Sequence, residues 1–226
     1  MITPQLLYLL AHADGEERAQ AFSQVAAAAG EPAAYHVVVA TLTSTPDEQV
    51  AFWCLDALIK QFGDFLPADA PRLLPLLLAR LVGQHPPVTD RAIWALNVVG
   101  PASVAALLDA IQHASSSVPQ RVAYVFALAR NKHVHPHIGP VVSLLAQLLQ
   151  DAEATVRYWA MVAVMDLSPL RPFYRPPMPT HYFEPLYPLV IPVAQEFMAP
   201  DQDGFAGRYH ELITQYGQSS IHKDKI

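Results

Sequence analysis

Cysteine, charge and long apolar runs are all scarce in this sequence, and each shortage excludes a class of protein. Cys54 is the single cysteine among 226 residues, so no intrachain disulfide can form. Asp, Glu, Lys and Arg make up 15% of the chain, against about 25% in an average soluble domain. No apolar run approaches the roughly 20 residues that a bilayer-spanning helix needs. We therefore expect a reduced, cytoplasmic protein that does not enter a membrane.

The sign of the charge argues against a nucleic-acid function. The chain has 14 Lys and Arg against 20 Asp and Glu, which gives a net charge of −6. Proteins that bind the phosphate backbone usually present a strongly basic face. The sequence also contains no glycine-rich phosphate loop, no nucleophile elbow and no zinc-ligand spacing. We expect no nucleic-acid partner, no cofactor, no metal and no catalytic residue.

A short pattern recurs along the chain. In its clearest copy, EATVRYWAMVAV at 153–164, an acidic residue is followed by Val156-Arg157 and then by small residues at Ala160 and Ala163. Each copy is counted at the residue that follows its second small position, which is Val164 in the clearest copy. Successive copies then lie 33, 38, 32, 36 and 50 residues apart. All intervals but the last are typical of solenoid repeats. The six counted positions are Val25, Leu58, Leu96, Leu128, Val164 and Thr214.

Each copy follows another apolar-periodic run, so each repeat is predicted to be a helical hairpin. Prolines lie at or near the proposed helix starts, where the missing N–H costs little, and glycines close the preceding runs. No alternating strand pattern competes with this interpretation. Small side chains let helices approach closely. We therefore predict that Ala95, Ala127 and Ala163 are buried where helices meet.

The acid, Val-Arg, Ala, Ala-Leu pattern resembles the HEAT and HEAT-like repeat family, best over residues 47–167 and more weakly over 14–217. The sequence departs from that pattern at Thr89, Gln120 and His210, where the family has Arg, Val and Ala. The resemblance implies an all-α fold, a right-handed α-solenoid of about six helical hairpins.

The same resemblance implies a domain organisation and a role for two arginines. A single repeat domain is expected over 1–217, followed by a polar tail at 218–226. Arg121 and Arg157 share a motif position in successive repeats. The family pattern places such arginines in a polar ladder with acidic residues between repeats.

The predicted binding surface is the concave face of the solenoid, formed by the second helix of each hairpin. On each of these helices the arc opposite the small residues is mostly apolar or aromatic. Stacking of the repeats alone can cover this arc, or the arc can stay open as a groove for a partner helix. The predicted partner-binding residues are Asp56, Asp90, Trp94, Asn97, Phe126, Arg130, Tyr158 and Met161.

A proline-rich insertion, residues 168–183, accounts for the long last interval. Eight prolines lie between residues 169 and 192, which disfavours a regular helix at the start of this stretch and favours extended backbone. We expect the insertion to be ordered, either as a cap over the end of the core or as a lid over the binding surface. The candidate lid or edge residues are Arg171, Phe173, Tyr174 and Arg175.

HEAT-like proteins include both scaffolds and enzymes, so the resemblance specifies fold more closely than function. We expect a non-catalytic module that binds a helix or peptide of a protein partner. Bilin-lyase-like handling of a hydrophobic ligand is one alternative, since an apolar groove with polar anchors would suit a tetrapyrrole. A HEAT-like DNA glycosylase is another, suggested by Trp53, Asp56, Trp94 and Trp159 but opposed by the charge balance.

Alternating histidines in NKHVHPHIGP raise the question of a metal site. His133, His135 and His137 are spaced so that their rings could share a metal in an extended loop. No Cys, Asp or Glu lies in that stretch to complete the ligand shell. We expect these side chains to be solvated loop residues.

Overall fold

The protein is all-helical wherever its structure is described. The computed structural model shows twelve α-helices and four 3₁₀ turns in the described ranges, and no strand among them. The predicted all-α class is confirmed. No helix in these ranges is long and apolar enough to cross a membrane. The described ranges are 2–83, 85–113, 116–170, 178–198 and 204–223, with side chains described up to residue 216.

The chain divides into two compact units, Met1–Ala106 and Leu107–Ile226. In the first unit each helix packs against the next one in a pair: α1 with α2, α3 with α4, and α5 with α6. The second helices also touch one another, because α4 contacts both α2 and α6. These helices are α1 (Pro4–His12), α2 (Gly15–Ala27), α3 (Pro32–Ser44), α4 (Glu48–Gln61), α5 (Ala70–Leu81) and α6 (Pro86–Val99).

In the second unit, α10 is the most enclosed helix. It packs against α8, α9 and α11, while α11 pairs with α12. The boundary between the units falls within α7. The remaining helices are α7 (Ala102–Gln112), α8 (Val118–Ala129), α9 (Ile138–Leu148), α10 (Ala154–Leu167), α11 (Tyr187–Phe197) and α12 (Phe205–Lys223).

Local sequence signals explain several helix ends. The Asp47 side chain accepts hydrogen bonds from the backbone N–H groups of Gln49 and Val50, at 2.9 and 3.1 Å, and so caps α4. Ser117 and Gln120 form a reciprocal capping box at the start of α8. Gly100 ends α6 with a φ of 97°, a conformation that glycine adopts without steric cost.

Small residues lie at the helix contacts, as the repeat pattern predicts. Ala95, Ala127 and Ala163 are 0%, 1% and 2% exposed, which confirms the prediction that they are buried. Their neighbours in the motif, Leu96 and Leu128, are buried beside them. Close approach of the backbones therefore depends on these alanines, as expected for densely packed helices.

Only the two ends of the proline-rich insertion are described. Met178 and Phe183 are 2% and 0% exposed, and the 3₁₀ turns on either side of Phe183 contact α9. The candidate lid residues lie outside the described residues; they are Arg171, Phe173, Tyr174 and Arg175. Whether the insertion is a cap or a lid stays a prediction, as does the single repeat domain over 1–217. Helix α12 continues to Lys223, so much of the predicted polar tail is helical.

Candidate partner-binding surface

The two motif arginines form the expected ladder between hairpins. Arg121 on α8 donates a hydrogen bond to the Asp151 carboxylate, which lies just before α10. Arg157 on α10 donates to the backbone carbonyls of Asp151 and Ala152, at 2.8 and 3.0 Å. Its Nε donates to Glu196 on α11 at 3.1 Å, and this bond raises the pKa of the guanidinium. Each arginine thus connects its helix to the following hairpin and is occupied within the protein.

Asp56 anchors two cations from a nearly buried position. Its side chain is 6% exposed, and its two carboxylate oxygens lie 3.0 Å from Lys60 Nζ and 3.0 Å from Arg91 Nε. The Arg91 Nε–H is not aligned with the carboxylate, so this contact is an ion pair rather than a hydrogen bond. A buried carboxylate needs such compensation. Asp56 therefore holds Lys60 and Arg91 in place and does not itself offer surface to a partner.

Arg91 also stacks on two aromatic rings. Its guanidinium carbon lies 5.1 Å from the Phe52 ring centroid on α4 and 5.8 Å from that of Trp94 on α6. Trp94 is 60% exposed. We call Phe52, Asp56, Lys60, Arg91 and Trp94 the tryptophan patch. Its geometry presents a large apolar ring beside a restrained cation.

Two polar residues predicted for the site flank this patch. Asp90 is exposed, one residue before Arg91. Asn97 is partly exposed, and its side-chain amide donates to the Ile93 carbonyl at 3.0 Å. The amide of Asn97 is therefore engaged by its own helix, while Asp90 remains on the surface.

A second surface, the aromatic row, belongs to the second unit. Ring centroids are separated by 5.4 Å between Phe126 and Trp159, 5.8 Å between Trp159 and Tyr158, and 5.0 Å between Tyr158 and Phe197. The row runs from α8 across α10 to α11, and all four rings are partly exposed. Arg130 lies over Phe126, with its guanidinium carbon 3.4 Å from the ring centroid. Edge-to-face ring pairs of this kind keep aromatic surface in a defined orientation.

Met161 is not part of either surface. It is 0% exposed, and every residue from Ala160 to Ser168 is buried. The wheel position of Met161 predicted exposure, but this half of α10 is buried, and α8, α9 and α11 all pack against that helix. The open face of α10 therefore ends at Tyr158 and Trp159.

Sequence reasoning missed Arg91, the central residue of the tryptophan patch. Its motif position carries no arginine in the HEAT-like pattern. The available signal was spacing: Arg91 precedes Trp94 by three residues, and residues three apart on a helix meet on one face. Phe52 and Asp56 are likewise one turn apart on the adjoining helix.

The single cysteine and the alternating histidines are the side chains in the sequence that could have carried chemistry. Cys54 is fully buried, and burial raises the pKa of its thiol to about 12, whereas a nucleophilic cysteine needs a low pKa. His135 and His137 lie in a 3₁₀ turn between α8 and α9. Within the described ranges, no three His, Cys, Asp or Glu side chains form a group that could hold a metal ion.

Comparison with known proteins leaves the family of the chain open. No protein-family model and no curated protein matches the sequence. One similar solved structure is an engineered protein, 18% identical with a TM-score of 0.40, and the match covers 94% of this chain and 96% of that one. Another engineered protein is 17% identical with a TM-score of 0.37, and the match covers 93% of this chain and 56% of that one. Likenesses this low carry no conclusion about fold or function.

Proposed function

We propose that this chain is a non-catalytic protein-interaction module, which binds a helix or peptide of a partner on the exposed face of its second helices. The proposal includes a HEAT-like, right-handed solenoid of about six hairpins. The repeat spacing, the helix pairing within each unit and the arginine ladder support that architecture.

The observation that carries the proposal is the exposure of Trp94. Its side chain is 60% exposed on a helix whose other large apolar residues, Ile93 and Leu96, are buried. Tryptophan and arginine are the residue types most enriched where binding energy concentrates in protein interfaces. Trp94 and Arg91 lie together, and Arg91 is already restrained by Asp56 and Phe52. Prior restraint of this kind lowers the entropy cost of binding.

The polar groups of the patch suit contact better than proton transfer. The guanidinium of Arg91 has N–H donors and no acceptor atom. The negative charge of Asp56 is balanced by two cations, because Lys60 Nζ and Arg91 Nε each lie 3.0 Å from one of its carboxylate oxygens. In this setting the charged side chains position one another, and the aromatic surface beside them supplies apolar contact.

Selection of peptides on the whole chain tests the proposal. A displayed library of amphipathic helical peptides of about 20 residues, long enough to form a helix, is selected on the full-length protein. The affinities of selected peptides are then measured by fluorescence anisotropy for wild type, Trp94→Ala and Tyr158→Ala. Because a central aromatic anchor contributes about 2 kcal/mol or more, we expect one of these substitutions to weaken each peptide at least about tenfold.

Tyr8→Ala is the matched control, since Tyr8 is 50% exposed but lies on α1, a first helix. It should leave affinity unchanged. Thermal unfolding of all three variants checks that the fold survives, because substitution of an exposed side chain usually changes stability by less than about 0.5 kcal/mol. Peptides that bind equally well to wild type, Trp94→Ala and Tyr158→Ala would contradict the proposed surface.

A further inference from the structure

We infer that the tryptophan patch recognises an amphipathic peptide helix carrying an Asp or Glu about one turn from a large apolar side chain. The carboxylate pairs with Arg91 and the apolar side chain packs on Trp94. The inference rests on the proposed function and narrows the class of partner for that surface.

The guanidinium of Arg91 is restrained by its neighbours and still has N–H groups that could pair with a carboxylate. Its contact with Asp56 is made through Nε, at 3.0 Å, and its guanidinium carbon lies over the rings of Phe52 and Trp94. Its two Nη groups make no hydrogen bond with any described residue. A planar guanidinium with two open N–H groups matches the two oxygens of a carboxylate. Fixing it by stacking removes much of the side-chain entropy that pairing would otherwise cost.

The charge that a partner meets at this patch is mainly positive. Asp56 is 6% exposed, whereas Arg91 and Lys60 are 28% and 53% exposed. The buried carboxylate is therefore screened from a partner by the two cations that it holds. The exposed carboxylate of Asp90 is the opposing charge. It lies next to Arg91 in sequence, so its removal should favour an acidic partner.

Trp94 fixes the spacing of the two contacts. Its ring centroid lies 5.8 Å from the guanidinium carbon of Arg91, a distance close to one turn of helix, about 5.4 Å. Residues three or four apart on a partner helix are separated by about 5–6 Å between their Cβ atoms. An acidic and a large apolar residue at that spacing would reach Arg91 and Trp94 together, which is the usual mode of helix recognition by an apolar surface.

The test uses peptides that are selected on the full-length protein and depend on Trp94. Each is synthesised in three forms, with Glu, Gln or Lys at the candidate acidic position, and their affinities are measured at low and near-physiological salt. We expect the Glu form to bind about fivefold tighter than the Gln form, because a charge-assisted pair is roughly twice as strong as a neutral one, which contributes about 1 kcal/mol. Arg91→Lys should reduce that preference, because an ammonium lacks the planar fork and the stacking surface.

Asp90→Asn should change the affinity for the Glu form in the direction opposite to Arg91→Lys. A general loss of fold could not produce that result. Removing the like charge should tighten the Glu form severalfold and weaken the Lys form. A preference for Lys, or tighter binding of Glu peptides that persists unchanged in Arg91→Lys, would overturn the inference. Trp94-dependent peptides that are indifferent to the Glu, Gln or Lys exchange would overturn it too, while the proposed function would stand. If no selected peptide depends on Trp94, the inference fails at this patch, whereas the proposed function fails only if Tyr158 is equally without effect.

Discussion

Single side chains decide which groups of this protein lie on its surface. Asp56 is placed by sequence on the predicted binding arc, but in the structure it is buried between Lys60 and Arg91. Trp94, on the adjoining helix, is the most exposed large apolar residue among those described. One member of the predicted surface is therefore a buried, paired carboxylate, whereas the tryptophan beside it is exposed.

Replacing Ala127 by Leu should destabilise the protein. Ala127 is 1% exposed where helices meet, and overpacking such a site typically costs about 1–3 kcal/mol. Urea unfolding measures the loss, and Ala40→Leu on an exposed position of α3 is the matched control. An unchanged midpoint for Ala127→Leu would show that the helices do not depend on a small residue at this position.

Cys54 should resist alkylation in the native protein. The thiolate is the reactive species, and burial raises the pKa of the thiol to about 12, so very little thiolate forms near pH 8. Unfolding returns the pKa to about 8.5 and should speed the reaction with iodoacetamide by orders of magnitude. Mass spectrometry of samples quenched with and without denaturant measures both rates. Stoichiometric labelling of the native protein within minutes would contradict burial of this side chain.

At the scale of the helix, caps and neighbours determine where each element begins and which face it shows. The first residue of α4 follows Asp47, whose carboxylate accepts two backbone N–H groups. The start of α2 is different: Asp14 makes no capping bond with its side chain, and its side chain is fully exposed. The same residue type therefore caps the helix in one repeat and does not cap it in the other.

Asp47→Ala should cost about 0.5–2 kcal/mol, the usual effect of losing a helix cap, and Asp14→Ala should cost much less. The bond from the Val50 N–H, the largest cause, lowers the pKa of Asp47 below its ordinary range. A depressed folded-state pKa stabilises the protein above about pH 4, the ordinary aspartate pKa, and this contribution is lost as pH falls through the folded-state pKa. The difference between wild type and Asp47→Ala should therefore shrink in acid. Chemical unfolding at several pH values measures it, and a difference that grows on acidification would contradict the capping role.

Across the whole molecule, repetition gives each compact unit its own aromatic surface. The tryptophan patch belongs to the first unit and the aromatic row to the second. Apart from Phe197 on α11, the rings of both surfaces lie on helices that carry the repeat motif. That motif turns its small residues toward the paired helix and leaves the opposite arc for larger side chains.

Duplex DNA should bind poorly at near-physiological salt. The net charge is −6, and affinity for the phosphate backbone depends on cations that displace counterions. We expect a dissociation constant weaker than about 1 μM at 150 mM salt, where non-specific binders typically lie. Fluorescence anisotropy with a labelled duplex, repeated over a range of salt concentrations, makes the measurement. Submicromolar affinity with a steep salt dependence would favour the DNA glycosylase alternative instead.

The sequence by itself determined the helical class, the pairing of successive helices in the first unit, and the burial of Ala95, Ala127 and Ala163. These features depend on local spacing, which sets the face of a helix on which a side chain lies. The contacts of Arg121 and Arg157 with acidic residues were implied by the family resemblance instead. The tertiary structure alone decided which faces stay open. Met161 and Trp94 were both predicted to be surface residues, yet Met161 is fully buried and Trp94 is 60% exposed. The physical reason is that α8, α9 and α11 pack against α10, the helix that carries Met161, and burial depends on neighbouring helices that the spacing within one helix does not encode.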